Sequence, residues 1–235
     1  LEDEMCSFGP DGTADGKSPN RLDAMVWAIT ELMLSGETTI FDRPVTAFVF
    51  DPIQIPPHWP RACAVVPGQV QGETAIVWAA FDTASDTAYV YDCFASRGKE
   101  LALHADAIIS RGKWIPVLGD EVTAPPDLES KFVDLGLDLY MVEDDVDAGI
   151  ASIADRLGTA RLKVFSTLPA LIAAYRGYRR DEKGQASTDE CPLMKALGLV
   201  ARFGPQVAVT ENVASGAGDD DDFGDTGGRS SVTGY

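Results

Sequence analysis

Residues 62–66 read Ala-Cys-Ala-Val-Val, residues 73–81 Glu-Thr-Ala-Ile-Val-Trp-Ala-Ala-Phe, and residues 87–94 Thr-Ala-Tyr-Val-Tyr-Asp-Cys-Phe. These three runs are rich in strand-forming residues, and the polar Thr83-Ala-Ser-Asp86 between the last two is a turn signal. Strands this close in sequence pair antiparallel, because a parallel return needs a crossover of a dozen or so residues. The expectation is a three-stranded antiparallel meander. Gly68-Gln-Val-Gln-Gly72 follows the first strand as a phosphate loop would, but it lacks the Lys-Ser/Thr ending and leads into another strand, so it reads as a turn.

Downstream the period changes. A helix is expected from Lys99 to Arg111, a strand through Trp114-Ile-Pro-Val-Leu118, and a helix presenting Leu128, Phe132 and Leu135 on one face. Leu137-Asp-Leu-Tyr-Met-Val142 reads as a strand, and Val146, Ile150, Ile153 and Leu157 recur at helical spacing. Arg161-Leu-Lys-Val-Phe165 is a further strand, followed by helices near 168–180 and 191–203 with the turn residues Asp181-Glu-Lys-Gly184 between them. A meander followed by alternating helices and strands describes an α/β sheet of mixed direction.

Upstream, Ser18-Pro19 reads as an N-cap with proline at the first helical position, Leu22, Met25, Val26, Ile29 and Leu32 form an apolar stripe, and Gly36 ends it. Residues 37–60 read as a connector, and 51–60 are too rich in proline for a regular element. At the other end, residues 206–235 form an acidic, Gly-rich tail, with Asp219 to Asp222 and Asp225 among Gly and Ser. Such a segment buries too little apolar surface to offset its ordering entropy, so disorder is expected over 211–235.

Composition narrows the function. Of 235 residues 45% are apolar, enough for one sizeable core and a tail. No run approaches the roughly 18 apolar residues of a membrane span, so a soluble protein without membrane contact is expected. The chain opens on Leu1 without a charged-then-apolar leader, which suggests an excerpt or a damaged coding region rather than a secreted precursor. Cys6, Cys63, Cys93 and Cys191 form no C-x-x-C pair and are expected to be buried free thiols in a reducing cytoplasm. Two histidines, His58 and His104, exclude a histidine-rich metal site, and no Ser-His-Asp arrangement is offered. A net charge of −18 opposes nucleic-acid binding, which rests on phosphate neutralisation. Arg176, Arg179, Arg180 and Lys183 form a local basic cluster, either a nucleic-acid contact or a solvated helix end. Trp78, Tyr89 and Tyr91 read as sheet packing in preference to a base-stacking platform.

Several runs share an order and spacing with one family: His58-Trp-Pro-Arg-Ala62, Thr74-Ala-Ile-Val-Trp-Ala-Ala-Phe-Asp82, Arg111-Gly-Lys-Trp-Ile-Pro116, Leu135-Gly-Leu-Asp138, Arg161-Leu-Lys-Val-Phe165 and Tyr175-Arg-Gly-Tyr-Arg-Arg-Asp-Glu-Lys-Gly184. Together they resemble the C-terminal nuclease domain of the large subunit of tailed-phage DNA-packaging terminases. Residues 1–36, through Asp11-Gly12 and Gly16-Lys-Ser-Pro-Asn-Arg-Leu-Asp-Ala-Met-Val-Trp27, resemble the end of the same domain in another branch, as a partial second copy. The resemblance implies a ribonuclease-H-like mixed sheet flanked by helices over 61–205. It also implies a phage or prophage protein of the host cytoplasm, with double-stranded DNA, the terminase small subunit and the portal as partners. The packaging ATPase that precedes the nuclease in the family is absent from this sequence.

Such nucleases cut DNA with two divalent ions, Mg2+ or Mn2+, held by hard carboxylate oxygens. The family places one Asp at the end of the first strand, another at the end of the fourth and a third on the last helix. In this chain the first position falls on Val66, within Ala64-Val-Val-Pro-Gly68, which holds no acid. The second falls on Asp120, a retained metal ligand and catalytic residue by resemblance, or else an ordinary loop acid after a strand. The third falls on Lys195 in Leu193-Met-Lys-Ala196, unless Asp189 or Glu190 upstream supplies it. In the partial copy the last-helix carboxylate is intact as Asp23, a second candidate ligand and catalytic residue if that helix docks beside the sheet, or else a solvated acid on a remnant helix. Asp82 and Asp92 lie on neighbouring strands with no facing assigned. Three functions follow: a packaging endonuclease, a non-catalytic packaging module, or a decayed prophage fragment.

Overall fold

The computed structural model of the chain describes residues 8–9, 12–13, 38–67, 72–98, 101–122, 124–180, 186 and 191–211. The helix expected over 19–34, its Asp23, the acids Asp189 and Glu190, Lys183 and the acidic run of the tail lie outside the described residues. The chain divides into two units, residues 1–42 with 177–187, and residues 43–176 with 188–235.

In the first unit, Phe8–Gly9 pairs antiparallel with Gly12–Thr13, and Thr38–Thr39 with Arg179–Arg180. The Ile40 N–H donates to the Tyr178 carbonyl at 3.3 Å, and the Phe41 ring stacks on that of Tyr178. Arg179 and Arg180, expected at a helix end, are thus in a strand, because the preceding helix stops at Gly177.

The second unit is built on a seven-stranded sheet. Its strands, in chain order, are β1 (Val49–Phe50), β2 (Arg61–Val66), β3 (Glu73–Asp82), β4 (Thr87–Arg97), β5 (Val117–Asp120), β6 (Leu139–Val142) and β7 (Leu162–Phe165). Across the sheet the order is β1-β7-β4-β3-β2-β5-β6. The meander β2-β3-β4 is antiparallel; β5 and β6 add parallel on the β2 side, and β7 and β1 parallel on the β4 side. This is the ribonuclease-H-like arrangement. β1 lies in the stretch read as a connector, while residues 51–60 contain no helix or strand.

Local chemistry explains the meander. At the β3–β4 turn the Asp82 carboxylate accepts from Ala84 N at 3.0 Å and from the Ser85 hydroxyl at 2.6 Å, and Asp86 takes a left-handed φ of 51°. A β-bulge between Trp78 and Ala79 sets two residues, Tyr91 and Asp92, against one on β3. β5 begins later than expected, at Val117, because Trp114–Pro116 turns out of the preceding helix through an Ile115 N–H to Gly112 carbonyl bond of 3.0 Å. That shift makes Asp120 the last residue of β5, not a loop acid beyond it.

The two faces of the sheet bury different helices. One face carries Cys63, Val65, Ile76, Trp78 and Val117 under α1 (Leu101–Gly112) and α2 (Leu128–Asp134), whose Ile108 and Phe132 are fully buried. Each such side chain contributes about 1.5–3 kcal/mol by leaving water. Trp78 also lies under the Arg111 guanidinium, 4.4 Å from its ring, and Tyr89 packs against Phe50 and Trp59, so these aromatics act in sheet packing. The other face is covered by α5 (Pro192–Val207), flanked by α3 (Val146–Gly158); α4 (Pro169–Gly177) follows β7. α3 and α5 cross with almost no space between backbones: a Cβ built on Gly198 would stand 3.3 Å from Gly149 Cα.

α5 runs through Pro205, longer than the expected helix. Proline has no N–H to give the carbonyl four residues back. That carbonyl, of Ala201, instead accepts from Arg156 Nε of α3 at 3.0 Å. Beyond α5 the chain returns to the start of the meander, where Arg61 and Val209 exchange both backbone hydrogen bonds, at 2.8 and 3.2 Å. No described helix is long and apolar enough to cross a membrane.

A buried double ion pair at the candidate metal centre

At the C-terminal ends of the parallel strands β2, β5 and β6, three side chains come into line. The register pairs Val65 with Gly119, so its next step sets Val66 beside Asp120, and Asp120 pairs in turn with Val142. Alternation turns Val66 and Asp120 away from the α1/α2 core and toward α5. Lys195, in the first turns of α5, points down to the same place. Its Nζ lies 2.5 Å from Asp120 Oδ2, and the two side chains are 5% and 1% exposed. Asp120 Oδ1 accepts the Val122 N–H at 3.1 Å. The three positions singled out from sequence therefore converge, as an apolar residue, an acid and an ammonium.

A second buried acid follows the neighbouring strand β6. Asp144 follows β6 by two residues, its side chain is 2% exposed, and Oδ1 accepts from Arg202 Nη1 at 2.6 Å. Burial pushes its carboxyl above the usual range against the opposing pull of the Arg202 hydrogen bond and charge; the negative Asp120 adds to the rise and Lys195 works against it. Lys195 and Arg202 stand at i and i+7 on α5, about two turns apart, and so project from one side of the helix.

Sequence reading missed Asp144 because Glu143-Asp-Asp145 offers three acids in a row, and only the structure separates the buried one from its exposed neighbours. Asp145 has a different task, capping α3 by accepting from Asp147 N at 3.0 Å. The other acids considered lie elsewhere. Asp92 pairs with Arg111 on the α1 side of the sheet, and Asp82 serves the β3–β4 turn.

A divalent-cation centre needs several oxygens free to face one point. Here Val66 offers hydrocarbon, Asp120 is held by an ammonium and Asp144 by a guanidinium. Among the described residues no group of three or more His, Cys, Asp or Glu is placed to hold a metal. The residues present do not fit the two-ion arrangement. The pairs are nonetheless strongly structural: removing one partner of a buried ion pair leaves an uncompensated charge, at about 3–5 kcal/mol. Cys63, Cys93 and Cys191 are free thiols, and burial raises Cys93 to about 11.

No protein-family model matches the chain, and no curated protein matches it. Solved structures do. The nuclease domain of the P22 large terminase aligns with a TM-score of 0.68 at 20% identity, over 74% of this chain and 96% of that one. The large terminase nuclease from thermophilic phage G20c with bound magnesium aligns at 0.55 and 11% identity, over 69% and 96%, and a form of that nuclease with bound cobalt is similar. The large terminase of a second thermophilic bacteriophage aligns at 0.56 and 15% identity, over 71% of this chain but only 45% of that longer protein. The chain has the fold of phage large terminase nuclease domains.

Proposed function

We propose that this chain is a terminase large-subunit nuclease-like module of viral DNA packaging whose metal-dependent cleavage is lost. The observation that carries the reading is the Lys195–Asp120 pair beside Val66. In the two-ion mechanism acids gather cations, one cation generates hydroxide and both stabilise the displaced oxygens. An ammonium carries charge but generates no hydroxide, and its three donors are directed at oxygen acceptors. On this reading Lys195 holds Asp120, Arg202 holds Asp144, and Val66 keeps the end of β2 dry. What remains for the module is a fold-borne role, contact with double-stranded DNA, the small subunit or the portal.

The test is incubation of the purified chain with supercoiled plasmid and Mg2+ or Mn2+. Intact plasmid is expected. Nicking that disappears in Asp120→Ala would overturn the reading.

A further inference from the structure

We propose that the open edge of β6 is a docking strand for an extended segment of a partner protein, apolar at its centre and basic at both ends, which joins the sheet as an additional strand. The inference goes beyond the reading above, which leaves the kind of contact open. β6 ends the sheet, and among the described residues no strand pairs with its outer side. Glu121, next after β5, donates its N–H to the Val142 carbonyl at 2.9 Å. Val142, and Tyr140 two residues back, therefore turn their backbone groups toward β5, and Leu139 and Met141 turn theirs outward. The side chains divide in the same alternation: Leu139 and Met141 pack on the α1/α2 core, while Tyr140 is 53% exposed. Edge strands are ordinarily guarded by proline, lysine or a bulge. Leu139–Val142 carries none of these.

The surroundings select the occupant. Val122, Val133, Leu135 and Tyr140, all exposed large apolar side chains, belong to the stretch that runs from the end of β5 to β6. The exposed acids Asp138 and Glu143 bracket the strand, and Glu121 and Asp134 stand exposed on the adjoining segments. From Val117 to Asp155 the only base is Lys131, already held by Asp127 at 2.5 Å. Apolar groups in an acidic frame accept a basic strand and reject a second copy, whose own acids would meet these with like charge. Duplex DNA, itself a polyanion, is rejected on the same ground. At the start of β6 a cavity of about 320 Å3, lined by Trp114, Pro116, Leu137 and Tyr140 with Lys113 and Asp138, takes one side chain of the incoming strand. In strand addition main-chain hydrogen bonds supply affinity, and such pockets supply specificity.

The experiment uses the full chain and a fluorescent peptide of about eight residues, a Val-Thr core of strand length with lysines at both ends. Fluorescence anisotropy should show saturable binding that weakens with salt. Hydrogen exchange at the Leu139 and Met141 amides should slow when the peptide is bound, because strand addition gives both N–H groups an acceptor. Met141→Pro deletes one outward donor without touching the β5 ladder, and should weaken binding roughly tenfold, the worth of one unmade main-chain hydrogen bond. Asp138→Lys with Glu143→Lys alters only exposed side chains, and should abolish binding while far-UV circular dichroism stays as in wild type. A control peptide of the same charge with a proline at its centre should not bind. If the control binds as well as the strand peptide, or the bound peptide leaves both amides exchanging as before, the inference is overturned, since charge alone is then at work. Absence of binding overturns it too. So does protection of the same two amides by self-association of wild type or by duplex DNA, because the occupant is then a different one. Plasmid cleavage bears on the functional reading and leaves this one untouched.

Discussion

Lys195 Nζ lies 2.5 Å from Asp120 Oδ2, across 75 residues of chain, in a place almost closed to solvent. The contact joins the last helix to the end of β5 and sits beside Val66 at the end of β2. A pair of this kind contributes little net stability over a well-packed apolar pair, yet it cannot be halved without large cost.

Lys195→Met should therefore lower the unfolding free energy by about 3–5 kcal/mol, because Asp120 is left buried and charged. Lys195→Met combined with Asp120→Leu should recover most of that loss, within about 1–2 kcal/mol of wild type, as buried pairs replaced together tend to do. The residual deficit reflects the Val122 N–H that Asp120 accepts. Urea denaturation of the three proteins measures both effects; a double variant no better than the single one would show that the pair does not act as a unit.

The α3–α5 crossing separates two glycines that look equivalent in sequence. A Cβ on Gly149 meets its neighbours at 3.4 Å and beyond, in ordinary contact, whereas a Cβ on Gly198 comes within 3.3 Å of a backbone atom. Gly149→Ala should be neutral or stabilising by up to about 1 kcal/mol through helix propensity. Gly198→Ala gains the same propensity but must push the two helix backbones apart, for a net loss of about 1–2 kcal/mol. Melting temperatures ranked in the opposite order would contradict the crossing.

Arg156 and Pro205 should be energetically coupled through the Ala201 carbonyl. With Pro205 in place, Arg156→Ala removes a partner that the helix cannot supply, at about 1–3 kcal/mol. In a Pro205→Ala background a backbone N–H is available, and the same truncation should cost about 1 kcal/mol less. A double-mutant cycle in denaturant gives the coupling directly, and additive effects would refute it.

Asp82 predicts a pH dependence of definite sign. Its carboxyl is held below the ordinary 3.8, chiefly by the Ser85 hydroxyl, with the Ala84 and Ser85 backbone bonds and His58 in support and desolvation opposing. A carboxyl lowered in the folded state stabilises above its unfolded pKa and loses that contribution as pH falls through the folded one. Asp82→Ala should thus melt below wild type at neutral pH, and the two should converge as pH drops beneath 3.8. A gap that persists into acid would assign the effect to the turn backbone.

The meander was legible because periodicity and turn residues agree there: Val90 and its tyrosine neighbours form a strand, and Thr83–Asp86 turns. Element ends were less legible. Pro116 and the Gly112 turn delay β5, which only hydrogen bonding settles, and Val49–Phe50 is too short to carry a period yet finds a parallel partner in β7. Of the site, Val66, Asp120 and Lys195 were found through resemblance, and the strand register and α5 bring them together. Nothing local announced their pairing, since an acid and a lysine so distant in sequence reveal an ion pair only in three dimensions. Asp144 and Arg202 were hidden for the same reason, and Asp23 belongs to residues outside those described.

The Arg61–Val209 backbone exchange ties the exit of α5 to the entry of β2, and this imposes a timetable on biosynthesis. Asp120 leaves the ribosome 75 residues before Lys195, a lag of roughly 4–15 s at ordinary elongation rates. Until that helix is made, the sheet face it covers and the Asp120 carboxylate both lack their partner. The final helix acts as a keystone laid last, and a chain cut short before it has all seven strands of the main sheet but no lid for its charge.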